Sequence, residues 1–119
     1  MKKIVLALVI MVACVASSQA INRVESGVIN TINNETVFGR LSAYLNVTDN
    51  QAADLKSVLE TTQIQLERAE KSGDPIAYAK ALHYNFKDAA NILSASQYAK
   101  YRLIVRTTIK NRYLDQLPL

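Results

Sequence analysis

The chain of 119 residues has no tryptophan, one cysteine, one histidine, two prolines and three glycines. Each shortage excludes something. A single cysteine cannot build an internal disulfide framework. Gly27, Gly39 and Gly73 are isolated and none precedes a Lys-Ser or Lys-Thr pair, so the sequence offers no phosphate-cradling loop and no support for nucleotide hydrolysis. So little glycine and proline also argues against collagen-like and low-complexity chains, and the length allows one small domain at most.

Catalytic chemistry is equally scarce. His83 lies between Leu82 and Tyr84, with Asp88 five residues on rather than three or four, and reads as a structural or surface residue. Asp49, Asp54, Glu60, Glu67 and Glu70 are accounted for by helix N-terminal charge and solvated faces, and no pair is marked out for acid–base work. No Ser-His-Asp order accompanies a recognisable nucleophile turn. The expectation is a binding protein rather than an enzyme, with no cofactor and no metal.

The one long apolar run is Ile4 to Ala13, preceded by Met1-Lys2-Lys3. It is too short for a stable membrane-spanning helix and reads as a secretory signal peptide over residues 1–20. Ser18-Gln19-Ala20 places small side chains where a signal peptidase needs them, so cleavage is expected after Ala20. A second exit is written nearby: Met11-Val12-Ala13-Cys14 loosely matches a lipobox, which would acylate Cys14 and tether the protein to a membrane. Cleavage after Ala20 leaves a mature chain with neither cysteine nor methionine, since Met1 and Met11 both depart with the leader.

Removing the leader also changes the charge. The formal net charge of +4 and pI near 9.3 include Lys2 and Lys3, and without them 12 basic residues face 10 acidic ones. The remaining charge is uneven: residues 21–74 carry five positive and eight negative side chains, residues 98–119 five and one. The basicity belongs to the end of the chain.

Apolar spacing predicts an all-α fold. Residues 21–34 are rich in Asn, with Ser26 and Gly27, show no sustained period and are expected to form a flexible or loosely helical lead-in. The helical domain is expected over 35–114. Val37, Phe38, Leu41, Tyr44 and Leu45 predict a short first helix from Glu35 to about Asn46. Ala52, Leu55, Val58, Leu59, Thr62, Leu66 and Ala69 predict the longest helix, and Ser72-Gly73-Asp74-Pro75 ends it and starts the next. The third helix, Pro75 to about Ile92, is expected to bury Ala79, Leu82, Phe86, Ala89, Ala90 and Leu93. The fourth, about Ala95 to Arg112, is expected to bury Tyr98, Tyr101, Ile104, Val105, Thr108 and Ile109, followed by a frayed tail over 115–119. One short and three longer antiparallel helices enclose a thin core, which favours a shallow cradle or a dimer sharing apolar faces over a lone bundle.

On the fourth helix Arg102, Arg106 and Lys110 fall at four-residue steps, with Lys100 and Arg112 nearby. This stripe reads either as a solvated face or as a surface for an anionic partner. With Tyr98 and Tyr101 it forms the candidate partner-binding set. The tyrosines could equally complete the core with their hydroxyls at its rim. Export makes acidic protein segments or lipid head groups better partners than nucleic acid.

Two junctions 46 residues apart share one grammar: Val47-Thr48-Asp49-Asn50-Gln51 and Leu93-Ser94-Ala95-Ser96-Gln97. Each is a capping box, in which Thr48 or Ser94 accepts from the amide three residues on while Gln51 or Gln97 reaches back to the cap amide. Val47 and Leu93 are placed as hydrophobic staples, and the whole set reads as structural.

The doubled pattern in a small exported helical chain resembles the LTxxQ-motif family of Spy- and CpxP-like periplasmic proteins, with Val47 in place of Leu in the first motif and Ser94 in place of Thr in the second. Leu41-Ser42-Ala43-Tyr44-Leu45 and Gln97-Tyr98-Ala99-Lys100-Tyr101 also look like stretches of small exported helical proteins of Bacteroides-type bacteria. The resemblance covers Phe38 to Arg112. It implies a periplasmic four-helix cradle, often an antiparallel dimer, that holds unfolded clients or senses envelope stress without ATP. The alternatives are a structural or interaction subunit of the envelope, or the same domain tethered as a lipoprotein.

Overall fold

The computed structural model describes residues 24–115, which form five α-helices and no strand: α1 Val24–Ile32, α2 Glu35–Leu45, α3 Asp49–Ser72, α4 Pro75–Ile92 and α5 Ala95–Asp115. The leader with Cys14 and the Ala20 cleavage position lies outside the described residues, as does 116–119 of the expected tail. Among the described residues no helix is long and apolar enough to cross a membrane.

The breaks fall where local chemistry puts them. Asn34 caps α2 with its side-chain oxygen accepting from the amides of Thr36 and Val37. Asn46 ends α2 in the left-handed region at φ 57°, a conformation that asparagine tolerates better than most residues. Gly73 ends α3 in the same region at φ 65°, and the amide of Asp74 closes onto the Ala69 carbonyl at 3.0 Å. The Asp74 carboxylate then accepts from the amides of Ile76 and Ala77, with Pro75 in the first turn of α4. This two-residue connection folds α3 and α4 into a hairpin packed along its length.

Of the flexible or loosely helical lead-in expected over 21–34, residues 21–23 lie outside the described residues and the rest is corrected by the structure. Val24 to Ile32 is a helix whose Val24, Val28, Ile29 and Ile32 enter the core, Val28 and Ile29 with no exposed surface. These four positions share one helical face, while Asn30 on the other face is exposed. α1 packs against both α3 and α5, and burial there outweighs the weak helix propensity of Ser26, Gly27 and Asn30. It adds a second short helix to the expected set. At the other end α5 continues three residues past Arg112, so Asp115, expected in the frayed tail, closes the helix instead.

The face of α3 is as expected, with Leu55, Leu59, Thr62, Leu66 and Ala69 buried and Ala52 and Val58 half-buried. Of the face expected for α4, Ala89 and Leu93 are buried and Leu82 and Phe86 pack partly buried against the core, but the centre of the buried face is rotated away from Ala79 and Ala90. Tyr78, Ala81, Asn85 and Ala89 are buried, Ala79 and Ala90 are exposed, and Leu82 and Phe86 stand half-buried at the edge. The reason is polar. Asn85, 1% exposed, donates to Thr62 Oγ1 on α3 at 2.9 Å and accepts from Tyr101 Oη on α5 at 2.7 Å. Thr62 Oγ1 donates onward to the Val58 carbonyl at 2.8 Å. Every member of this buried chain has its partner, so it fixes the rotation of three helices at little desolvation cost.

Candidate functional site: a basic groove between α4 and α5

The two motif junctions, far apart in sequence, meet in space. Both capping boxes form: the Gln51 amide bonds to Thr48 Oγ1 at 3.1 Å and the Thr48 amide to Gln51 Oε1 at 2.9 Å, and the Ser94–Gln97 pair matches them at 3.2 and 2.9 Å. The side-chain amides of Gln51 and Gln97 then pair with each other, Gln51 Nε2 to Gln97 Oε1 at 2.9 Å and Gln97 Nε2 to Gln51 Oε1 at 3.3 Å. Their remaining donor hydrogens cross over, Gln51 Nε2 to the Ile92 carbonyl and Gln97 Nε2 to the Asn46 carbonyl, both at 3.1 Å. All donors and acceptors of both amides are thereby used. Val47 is half-buried beside this cluster and Leu93 buried. The glutamines join the α2–α3 and α4–α5 corners as well as capping two helices, a role that spacing alone does not reveal.

From the second corner α4 and α5 diverge. Their backbones approach each other much less than those of α3 and α4 do, and a groove of about 630 Å³ opens between them. Leu82, Phe86, Tyr98 and Ile109 supply apolar surface, and Lys87 from α4 with Arg102, Arg106 and Lys110 from α5 supply positive charge. The Arg106 guanidinium lies 5.6 Å from the Phe86 ring centroid, a cation–π contact that holds it over the apolar floor. Among the described residues none of these four cations has a carboxylate within ion-pair distance.

One carboxylate does line the groove. Glu25, from the first turn of α1, accepts from Tyr113 Oη at 2.8 Å and more weakly from Tyr78 Oη at 3.4 Å, while the Ser26 amide donates to Tyr78 Oη at 3.0 Å. Burial, followed by the bond to Glu25, pushes Tyr113 up to about 12. Burial likewise raises Tyr78 and Tyr101 above the usual tyrosine range. Arg112 is engaged with α1, donating to Thr31 Oγ1 at 3.3 Å, and does not line the groove.

Of the six residues expected to meet a partner, the structure brings Tyr98, Arg102, Arg106 and Lys110 together in this groove. Lys100 points elsewhere, with its ammonium 5.4 Å from the centroid of Tyr44 on α2. Tyr101 is corrected outright: it has no exposed surface and belongs to the core beside Asn85. The residues missed by sequence reasoning are the α4 wall, Ala79, Leu82, His83, Phe86 and Lys87, with Ile109 on α5 and Glu25 on α1. The spacing of Leu82 and Phe86 was legible, but it marked them as core. With Asn85 drawn into the core, the pair stands at its edge, half-buried and lining the groove.

Among the described residues no three His, Cys, Asp or Glu side chains gather as a metal site. Compared with known protein families, curated proteins and solved structures, the chain matches none.

Proposed function

We propose that this chain is an exported, periplasmic helical binding protein of the kind the doubled capping motif suggests, acting by holding partly folded or acidic protein segments rather than by catalysis. The observation that carries this reading is the set of four cations that face apolar surface in the α4–α5 groove and, among the described residues, have no carboxylate within ion-pair distance. Short apolar contacts give such a surface its grip, and long-range attraction speeds encounter, a combination suited to weak and fast capture. Export rests on the basic start, the apolar run and the Ser18-Gln19-Ala20 exit of the leader.

The test is suppression of aggregation of a reduced client protein by stoichiometric amounts of the mature chain at low salt. Suppression is expected, and Arg102→Glu with Arg106→Glu should weaken it while far-UV circular dichroism stays unchanged, because both side chains are exposed. No suppression at low salt removes the chaperone-like reading. Intact mass of the exported protein tests the leader, with a free N-terminus at Ile21 expected.

A further inference from the structure

Resting on that reading, we infer that the occupant of the α4–α5 groove is an acidic amphipathic α-helix of a partner protein, laid alongside α5 so that it completes the helix packing. Three features of the groove point to a helix rather than to an extended or unfolded segment.

The first is the backbone. The groove walls are two α-helices whose own backbone groups are engaged internally, and the described residues contain no strand edge. An extended chain pressed onto Leu82, Phe86, Tyr98 and Ile109 would lose water from its amides and carbonyls with no backbone partner to replace it. A helix satisfies its own backbone before it arrives and needs only side-chain contacts.

The second is the spacing of charge. Arg102, Arg106 and Lys110 occur at four-residue steps, which places them about 6 Å apart along α5. A helix running beside α5 presents carboxylates at the same pitch from positions i, i+4 and i+8, so three ion pairs form in register with no distortion of either backbone. Lys87 lies across the groove on α4 and faces the other flank of the same occupant.

The third is the shape of the gap. α4 and α5 part from the Leu93–Ser94 corner and leave half-buried aromatic and aliphatic side chains recessed between them. A recessed floor admits a helix ridge, whereas a flat bilayer cannot reach it. A second copy of this chain docking α5 against α5 sets Arg102, Arg106 and Lys110 against their own like charges. Glu25, which also lines the groove, is held by the Tyr113 and Tyr78 hydroxyls, which leaves the four cations to a partner's carboxylates.

The inference is tested by fluorescence anisotropy with the mature full-length chain and labelled synthetic peptides of roughly five helical turns. One carries Leu along one face and Glu at four-residue steps beside it. A second has the same composition permuted so that no face is formed, a third has a central Pro, and a fourth has Lys for Glu. Binding is expected for the first peptide only, with a gain of helical circular dichroism on mixing. Affinity should drop about tenfold or more in Arg102→Glu/Arg106→Glu, and fall steeply between about 0.05 and 0.5 M salt.

Equal binding of the permuted or Pro-containing peptide overturns the helix inference and leaves the proposed function standing. No binding of the first peptide by a protein that still suppresses client aggregation through Arg102 and Arg106 has the same meaning. Failure of both peptide and client removes both readings. Binding to vesicles of anionic lipid with none to the peptide overturns the inference in favour of a membrane surface.

Discussion

The glutamine pair makes a prediction on which local and tertiary reasoning disagree in sign. Glutamate at the third helical position completes a capping box as well as glutamine does, and its charge favours a helix N-terminus, so capping alone predicts that Gln51→Glu is neutral or slightly stabilising. The structure predicts the reverse. The substituted carboxylate keeps the bonds that Gln51 Oε1 accepts from the Thr48 amide and from Gln97 Nε2, but loses the two that Nε2 donates, to the Ile92 carbonyl and to Gln97 Oε1. In their place an acceptor oxygen faces two acceptor oxygens. Two lost hydrogen bonds at about 1 kcal/mol each, with the repulsion left behind, give a destabilisation of about 2–3 kcal/mol, or roughly 10 °C or more in Tm for a domain of this size.

The assay is chemical denaturation followed by far-UV circular dichroism, run at pH 7 and again near pH 3. Protonation restores one donor to the new carboxyl, so its folded-state pKa lies above the unfolded value near 4.3. The deficit is then smallest below that value and grows as pH rises through the folded pKa, giving a variant closer to the parent near pH 3 than at pH 7. A variant as stable as the parent at pH 7, or one with the same deficit at both pH values, refutes the cross-linked picture. A double-mutant cycle of Gln51→Ala and Gln97→Ala adds an independent check, with a coupling of about 1 kcal/mol or more expected.

Other outcomes follow from the core. Ile29→Ala, in the segment whose sequence reads as a lead-in, should cost about 3 kcal/mol by denaturant titration, whereas a flexible segment would show no change. Tyr101→Phe leaves Asn85 Oδ1 without its buried donor and should cost about 2 kcal/mol with the helical spectrum retained. Tyr78, Tyr101 and Tyr113 all hold their protons more tightly when folded than the unfolded chain does near pH 10. Their contribution is therefore intact below about pH 10 and is lost as pH rises through the folded values, so the denaturation midpoint should fall above pH 10, less steeply in Tyr101→Phe. Thr48→Ala and Ser94→Ala should each cost about 1 kcal/mol and leave client capture intact.

The three long helices and their breaks were legible because their signals are local. Asn46, Gly73, Asp74 and Pro75 act within a turn of where they stand. α1 was hidden because its four core residues are spaced among Asn, Ser and Gly, and only packing against α3 and α5 makes it a helix. The α4 face is only partly legible for a similar reason: apolar spacing finds Ala89 and Leu93 but gives the polar Asn85 no place in the core, whereas its two side-chain partners on α3 and α5 draw it inward. The basic half of the groove could be read from the periodicity of Arg102, Arg106 and Lys110. Its apolar half could not, since half-burial at an edge and full burial in a core give the same helical spacing.

The Gln51–Gln97 pair has one more consequence. Each glutamine offers the other the same groups, and each crosses over to the carbonyl two residues before the other's cap, at Asn46 and Ile92. Contacts of this self-complementary kind ordinarily lie on the twofold axis of a dimer. Here both halves belong to one chain. A shift of 46 residues carries Leu55, Leu59 and Thr62 of α3 onto Tyr101, Val105 and Thr108 of α5, and Thr62 and Thr108 each donate to the carbonyl four residues back. The Gln51–Gln97 corner thus repeats within one chain the local geometry of a twofold contact, and because every polar group of the two side-chain amides is already engaged there, this contact is not available to a second copy.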